Sequence, residues 1–243
     1  MAYMRMAKVL LTLHLCEKAG INLENKSIFD YGFGAGTFFR YCPASSRLFG
    51  VEIDPENVAA VRTMLARRGM RNVDLQTIDV QHLSEHPLLR RSYDVVLCSH
   101  VLEHLPDPVG FLKRIRECIN PTGVFLGLVP INERELDPHH VQRIDRSKIA
   151  EWAGAAGLRI RTYLEADPWL YRVQPIFGSR NRAMRLLAQT MSFCLGLPAT
   201  ALGRHMWFRM SDLFRFITKS LPIQAAFVLT HKNGSTTEIA PAR

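Results

Sequence analysis

Three groups of residues have the types and spacing to do chemistry. The first is a glycine loop, Gly32-Phe33-Gly34-Ala35-Gly36-Thr37, directly after the apolar run Ser27–Tyr31 that contains Asp30. Alternating glycines allow a tight turn and let the backbone approach a ligand with no Cβ between them. A dinucleotide fingerprint needs G-x-G-x-x-G, and Thr37 stands where its third glycine would be. The second group is a set of acids at the ends of apolar runs. Glu52 lies 22 residues past Asp30 in Gly50-Val51-Glu52-Ile53-Asp54, the separation at which a carboxylate can accept from ribose hydroxyls. Asp79 closes the next run and is placed to meet an adenine amino group. The third group is Ser99-His100-Val101-Leu102-Glu103-His104, with His139 and His140 farther along. Imidazoles beside a carboxylate can move a proton or hold a divalent ion.

Short apolar runs alternate with helical patterns, and these elements must position the groups. Strands are expected over 27–31, 47–53, 73–78, 93–98, 123–129 and 158–164, and helices over 55–68, 108–119 and 147–156. Asp54 reads as the N-cap of the first of these helices, with Pro55 at its first position. Strands separated by helices predict an α/β, doubly wound, mostly parallel sheet with helices on both faces. Ligands of such sheets bind outside the carboxyl ends of the strands, where all three groups fall.

In this order and spacing the features resemble the class I S-adenosylmethionine-dependent methyltransferases, and in particular the branch that includes ubiquinone-biosynthesis O-methyltransferases. The resemblance runs from about 25 to 164. Phe33 stands where Cys is frequent, and Asn120-Pro121-Thr122-Gly123 where Pro-Gly-Gly is usual; neither change removes a group the chemistry needs. The resemblance implies S-adenosyl-L-methionine as cofactor. It also implies a Rossmann-like, seven-stranded sheet with a helical insertion before an antiparallel last strand, here 225–230. By position it puts Asp30, Gly32, Gly34 and Gly36 at the methionine end of the cofactor and Glu52 on the ribose. Ile53 packs on the adenine, Asp79 orients its amino group, and Ser99 completes the cofactor set.

A sulfonium already activates its methyl group, so proximity carries much of the rate and the catalytic residue is harder to read. An oxygen acceptor must also lose a proton. The candidates are His104, His100 and His140. Helical spacing would put His100, Glu103 and His104 on one face, at i, i+3 and i+4. The helix resembles the Glu-x-x-Glu-His helix of metal-assisted small-RNA 2′-O-methyltransferases and of some ubiquinone O-methyltransferases, with His100 replacing the first Glu. Leu-Glu-His-Leu-x-Asp-Pro is also common across the superfamily without metal. The favoured expectation is a site with no metal. The alternative is a divalent ion on His100, Glu103, His104 and His140.

The chain has 243 residues and a net charge of +9, which favours an anionic substrate, membrane surface or nucleic acid without choosing among them. Its five cysteines form no C-x-x-C pair, so a reduced, cytoplasmic setting is expected rather than a disulfide framework. The division expected is an N-terminal helix over 1–24, a cofactor core over 25–166, an insertion over 167–222, a last strand over 223–231 and a polar tail over 232–243. The insertion holds an uncharged stretch, 186–203, between Arg180, Arg182 and Arg185 on one side and Arg204, Arg209, Arg215 and Lys219 on the other. It reads as a helical lid over the acceptor, or as a segment that seats peripherally on an anionic membrane. The function expected is methyl transfer to an oxygen of a small-molecule or lipid-linked acceptor. The alternatives are an RNA 2′-O-methyltransferase with a metal at His100, Glu103 and His104, and a catalytically silent cofactor-binding partner protein.

Overall fold

The computed structural model describes residues 2–78, 86–133, 137–166 and 221–232, with scattered positions between 183 and 219. Asp79, the uncharged stretch 186–203 and the tail beyond Lys232 lie outside the described residues. The elements are α1 (Ala2–Lys18), β1 (Ser27–Tyr31), β2 (Arg47–Glu52), α2 (Pro55–Arg67), β3 (Val73–Thr77), β4 (Tyr93–Ser99), α3 (Pro108–Glu117), β5 (Ile119–Pro130), α4 (Arg146–Ala155), β6 (Leu158–Ala166) and β7 (Gln224–His231).

The strands form one seven-stranded sheet in the order β3-β2-β1-β4-β5-β7-β6. β1 lies beside both β2 and β4, all parallel, and is buried along its whole length. Such double coverage explains why its sequence runs apolar on both faces rather than alternating. β7 enters antiparallel between β5 and β6, pairing Leu126 with Val228 and Ala166 with Gln224. This is the doubly wound sheet with an antiparallel last strand that the sequence predicts.

Side chains alternate across the strands, so each face has its own core. On one face Phe29, Val96, Phe125 and Phe227 pack with Leu112 and Ile115 of α3 and Ile149 and Trp152 of α4. On the other, Ile28, Leu48, Leu97 and Leu126 pack with Leu15 of α1 and Val61 and Leu65 of α2. Phe29 and Phe125 are fully buried, and truncating such a ring to Ala costs about 3–5 kcal/mol. Asp54 caps α2 as expected, its side chain accepting from the N–H of Glu56 at 2.9 Å. Asp94 ties three parts of the sheet's opposite end: it accepts from Ser27 N and Oγ at 2.8 and 2.7 Å and from Asn120 Nδ2 at 3.1 Å.

Candidate active site

The loop between β1 and the following helical turn is built from three glycines with positive φ: Gly32 (+71°), Gly34 (+53°) and Gly36 (+61°). A Cβ at Gly36 would sit 2.6 Å from Val61 Cγ1 of α2, so the loop and that helix meet with no room for a side chain. At Gly34 a Cβ would meet nothing within 4 Å. That open space belongs to a cavity of about 230 Å³. Asp30, Gly32, Gly34 and Ser99 line it from the strand ends, and Lys8 and Thr12 of α1 line it from the other side. The two α1 residues were not among the expected site residues. Nothing in the helix's own pattern shows that its inner face continues over the glycine loop.

Asp30 is 3% exposed, and its Oδ1 has no hydrogen-bond partner among the described residues. Burial, and then the nearby charge of Glu52, push its carboxyl well above the ordinary carboxylate range. An orphaned acceptor beside a positive-φ glycine loop fits a ligand carrying N–H donors and a chain that lies against backbone. Glu52 stands behind the loop. Its Oε2 accepts from the N–H of Gly34 at 2.7 Å, and its Oε1 accepts from the N–H groups of Ile53 and Asp54 at 3.0 and 3.2 Å. Ile53 beside it is 62% exposed, an apolar surface left open at the strand end. These features suit a nucleoside with an amino-acid tail.

Immediately past Ser99 the chain does not enter a helix as the spacing predicts. His100 has φ +58°, and only Leu102–His104 form a short 3-10 turn. The cause is the sheet: the N–H of His100 still bonds to Leu128 O at 2.9 Å, so the chain must turn through a left-handed step before it can coil. His100 and His104 therefore do not share a helical face. His100 Nδ1 lies 3.1 Å from Glu103 Oε1, an ion-pair contact without hydrogen-bond alignment, and its Nε2 lies 3.3 Å from Gln224 Nε2 of β7. Both ring nitrogens are thus engaged, and burial lowers the pKa of this imidazole despite the carboxylate.

Glu103, His104 and His140 do come together, each offering a ligand atom within 4.8 Å of the others. Glu103 is fully buried, and neither carboxylate oxygen has a hydrogen-bond donor among the described residues. His104 Nδ1 sits 2.9 Å from the His139 carbonyl, and His140 Nδ1 sits 2.7 Å from Glu133 Oε1. A ring nitrogen facing a carbonyl or carboxylate carries the proton, which leaves the lone pair on Nε2 of each ring. Val141 N donates to Glu103 O at 2.8 Å and pins the 137–142 loop against the 3-10 turn. Neither Glu133 nor Gln224 was an expected site residue, because each reaches its histidine only through the fold.

Residues 29–127 match the family model described as a methyltransferase domain. A ubiquinone biosynthesis O-methyltransferase of Acinetobacter baumannii is 27% identical over 120 residues, 49% of this chain and 49% of that protein. A protein of Mycolicibacterium smegmatis, named as a probable S-adenosylmethionine-dependent methyltransferase, is 28% identical over 142 residues, 55% of this chain and 50% of that protein. The chain spans about half the length of the curated relatives it matches. Among solved structures, coclaurine N-methyltransferase bound to N-methylheliamine and SAH superposes with a TM-score of 0.60 at 16% identity, covering 92% of this chain and 70% of that one. That likeness speaks for the fold alone. The matched domain, the strand order and the glycine loop at the strand ends agree: residues 29–127 carry a methyltransferase domain, and the chain is similar to S-adenosylmethionine-dependent methyltransferases.

Proposed function

We propose that the protein transfers a methyl group from S-adenosyl-L-methionine to an oxygen of a small-molecule or lipid-linked acceptor. The observation that carries this reading is the histidine–carboxylate cluster of Glu103, His104 and His140, a few residues beyond the end of the cofactor cavity. When bound, the cofactor supplies a methyl group already activated by its sulfonium.

The chain's own residues would then bind, orient and deprotonate. Asp30 and the loop of Gly32, Gly34 and Gly36 hold the amino-acid end, with Ser99 beside them. Glu52 receives the ribose, and Ile53 covers the adenine, whose amino group falls to Asp79. His104 is the base: its Nδ1 proton is fixed by the His139 carbonyl, leaving Nε2 to accept a proton from the acceptor hydroxyl. His140, held by Glu133, packs its ring 5.0 Å from that of His104 and positions it, while His100 is held by Glu103 and Gln224. The Acinetobacter relative's name supports oxygen as the acceptor atom.

The test is incubation with methyl-labelled cofactor and fractionated cell extract, followed by identification of the labelled atom. Label on oxygen, with His104→Ala lowering kcat by about 100-fold or more while cofactor affinity holds, is the expected result. Label on nitrogen would overturn it.

A second reading is supported by the buried, unbonded oxygens of Glu103. Glu103, His104 and His140 would hold a divalent ion, with the His139 carbonyl and Glu133 fixing the two rings from behind, as outer partners of metal-bound histidines do. The ion would lower the pKa of a hydroxyl bound there. Calorimetric titration with zinc and with magnesium separates the readings, since the base reading predicts no heat of binding lost in His140→Ala.

A further inference from the structure

Among the described residues, six large hydrophobics are exposed, and four of them, Leu213, Phe216, Ile217 and Leu221, fall within nine positions of the insertion. The other two, Ile53 and Val141, belong to the site already described. Phe216 is 83% exposed and Ile217 69%. Leu213, Phe216 and Ile217 are helical and spaced i, i+3 and i+4, so they share one face.

The same stretch is anchored. Phe208 stacks on His14 of α1 with ring centroids 4.0 Å apart, and Arg204 approaches Glu17 at 3.8 Å. Phe208 and Arg204 face α1, while Leu213, Phe216 and Ile217 stay exposed. Arg209, Arg215 and Lys219 accompany the exposed residues against one acid, Asp212. An apolar face with basic neighbours is complementary to one kind of surface that is greasy and anionic at once, a bilayer with acidic headgroups.

We infer that Leu213, Phe216, Ile217 and Leu221 form a docking face that seats the protein peripherally on an anionic lipid bilayer. The three nearby cations select acidic headgroups, and the aromatic and aliphatic side chains enter the interface. No helix of the described residues is long and apolar enough to cross a membrane. The inference stands apart from the acceptor reading, because vesicle binding is measured without turnover.

The experiment is co-sedimentation of the full chain with phosphatidylcholine–phosphatidylglycerol vesicles and with pure phosphatidylcholine vesicles at low salt. The expected result is binding to the first at least about tenfold stronger than to the second. Phe216→Glu with Ile217→Glu should weaken that binding by at least about tenfold, as should Arg209→Gln with Arg215→Gln and Lys219→Gln. Both variants should bind S-adenosylmethionine within about twofold of the parent, which shows them folded. Failure of the parent to bind acidic vesicles overturns the inference, and so does undiminished binding by the Phe216→Glu, Ile217→Glu variant. A concentration-dependent dimer lost in that variant, with no vesicle binding, overturns it in favour of a second copy of the chain.

Discussion

The carboxylate of Glu52 accepts the backbone N–H of Gly34 at 2.7 Å, so the acid on β2 and the glycine loop after β1 act as one rigid unit. Asp54, two residues on, instead caps α2 through Glu56 N. The two acids should separate cleanly on substitution. Glu52→Ala removes the bond to Gly34, worth roughly 1.5–3 kcal/mol as a charge-assisted one, together with those to Ile53 and Asp54, and should weaken cofactor binding by about tenfold or more in calorimetry. Asp54→Ala should cost about 1 kcal/mol of stability in a thermal melt with cofactor affinity nearly unchanged. Equal affinity losses for both would contradict the assignment.

Asp30 is expected to trade stability for binding. Burial, and next the charge of Glu52, raise its carboxyl well above the ordinary value of 3.8. The folded state then retains a proton that the unfolded state has released. Stability is undiminished below the unfolded value and is lost as pH rises towards and through the folded one. Asp30→Asn removes this loss. The variant should melt above the parent at pH 7 and converge with it below about pH 4, while its affinity for S-adenosylmethionine falls by about tenfold or more. A variant less stable than its parent at neutral pH would show that the charge is compensated in the fold.

Two glycines of the same loop should respond differently to Ala. Both have positive φ, which costs a non-glycine residue roughly 1–2 kcal/mol. At Gly36 the new Cβ also meets Val61 at 2.6 Å, and overpacking adds about 1–3 kcal/mol. At Gly34 it enters open space beside the cavity. Gly36→Ala should therefore be the less stable variant in denaturant, and Gly34→Ala should lose more cofactor affinity per unit of stability lost.

Glu133 provides a test of the metal reading away from the ligand set. Its Oε1 fixes the His140 ring at 2.7 Å. If an ion binds at Glu103, His104 and His140, Glu133→Gln should weaken zinc binding by roughly 10–100-fold without removing a ligand. Zinc affinity identical in the parent, Glu133→Gln and His140→Ala would place the ion elsewhere.

The parts of this protein that could be read from sequence are those whose cause is local. β1 and β4 are covered on both faces and so run apolar, and the α2 start is written in Asp54 and Pro55. The glycine loop is legible because its backbone conformation demands the residue type. The structure brings Glu103, His104 and His140 together through a short turn and the 137–142 loop rather than along a helix face, and His100 stands outside that group. Helical spacing cannot register that the N–H of His100 remains bonded to Leu128 of β5. Lys8 and Thr12 at the cavity, Glu133 on His140 and Gln224 on His100 are joined to the site across long stretches of chain, and no spacing rule connects them.

At the far edge of the sheet, Ala166 is the register partner of Gln224, and the N–H of Ile223 reaches the Ala166 carbonyl at 3.1 Å. The chain departs from the sheet and rejoins it on a single rung. Seen as a polymer, the two chain ends that meet there are held together by one pair of strands. Doubling the length of a loop closed in this way costs only about 0.6 kcal/mol of closure entropy. A change of length between the two contacts would carry that small entropic cost and leave the rung that joins β6 and β7 in place.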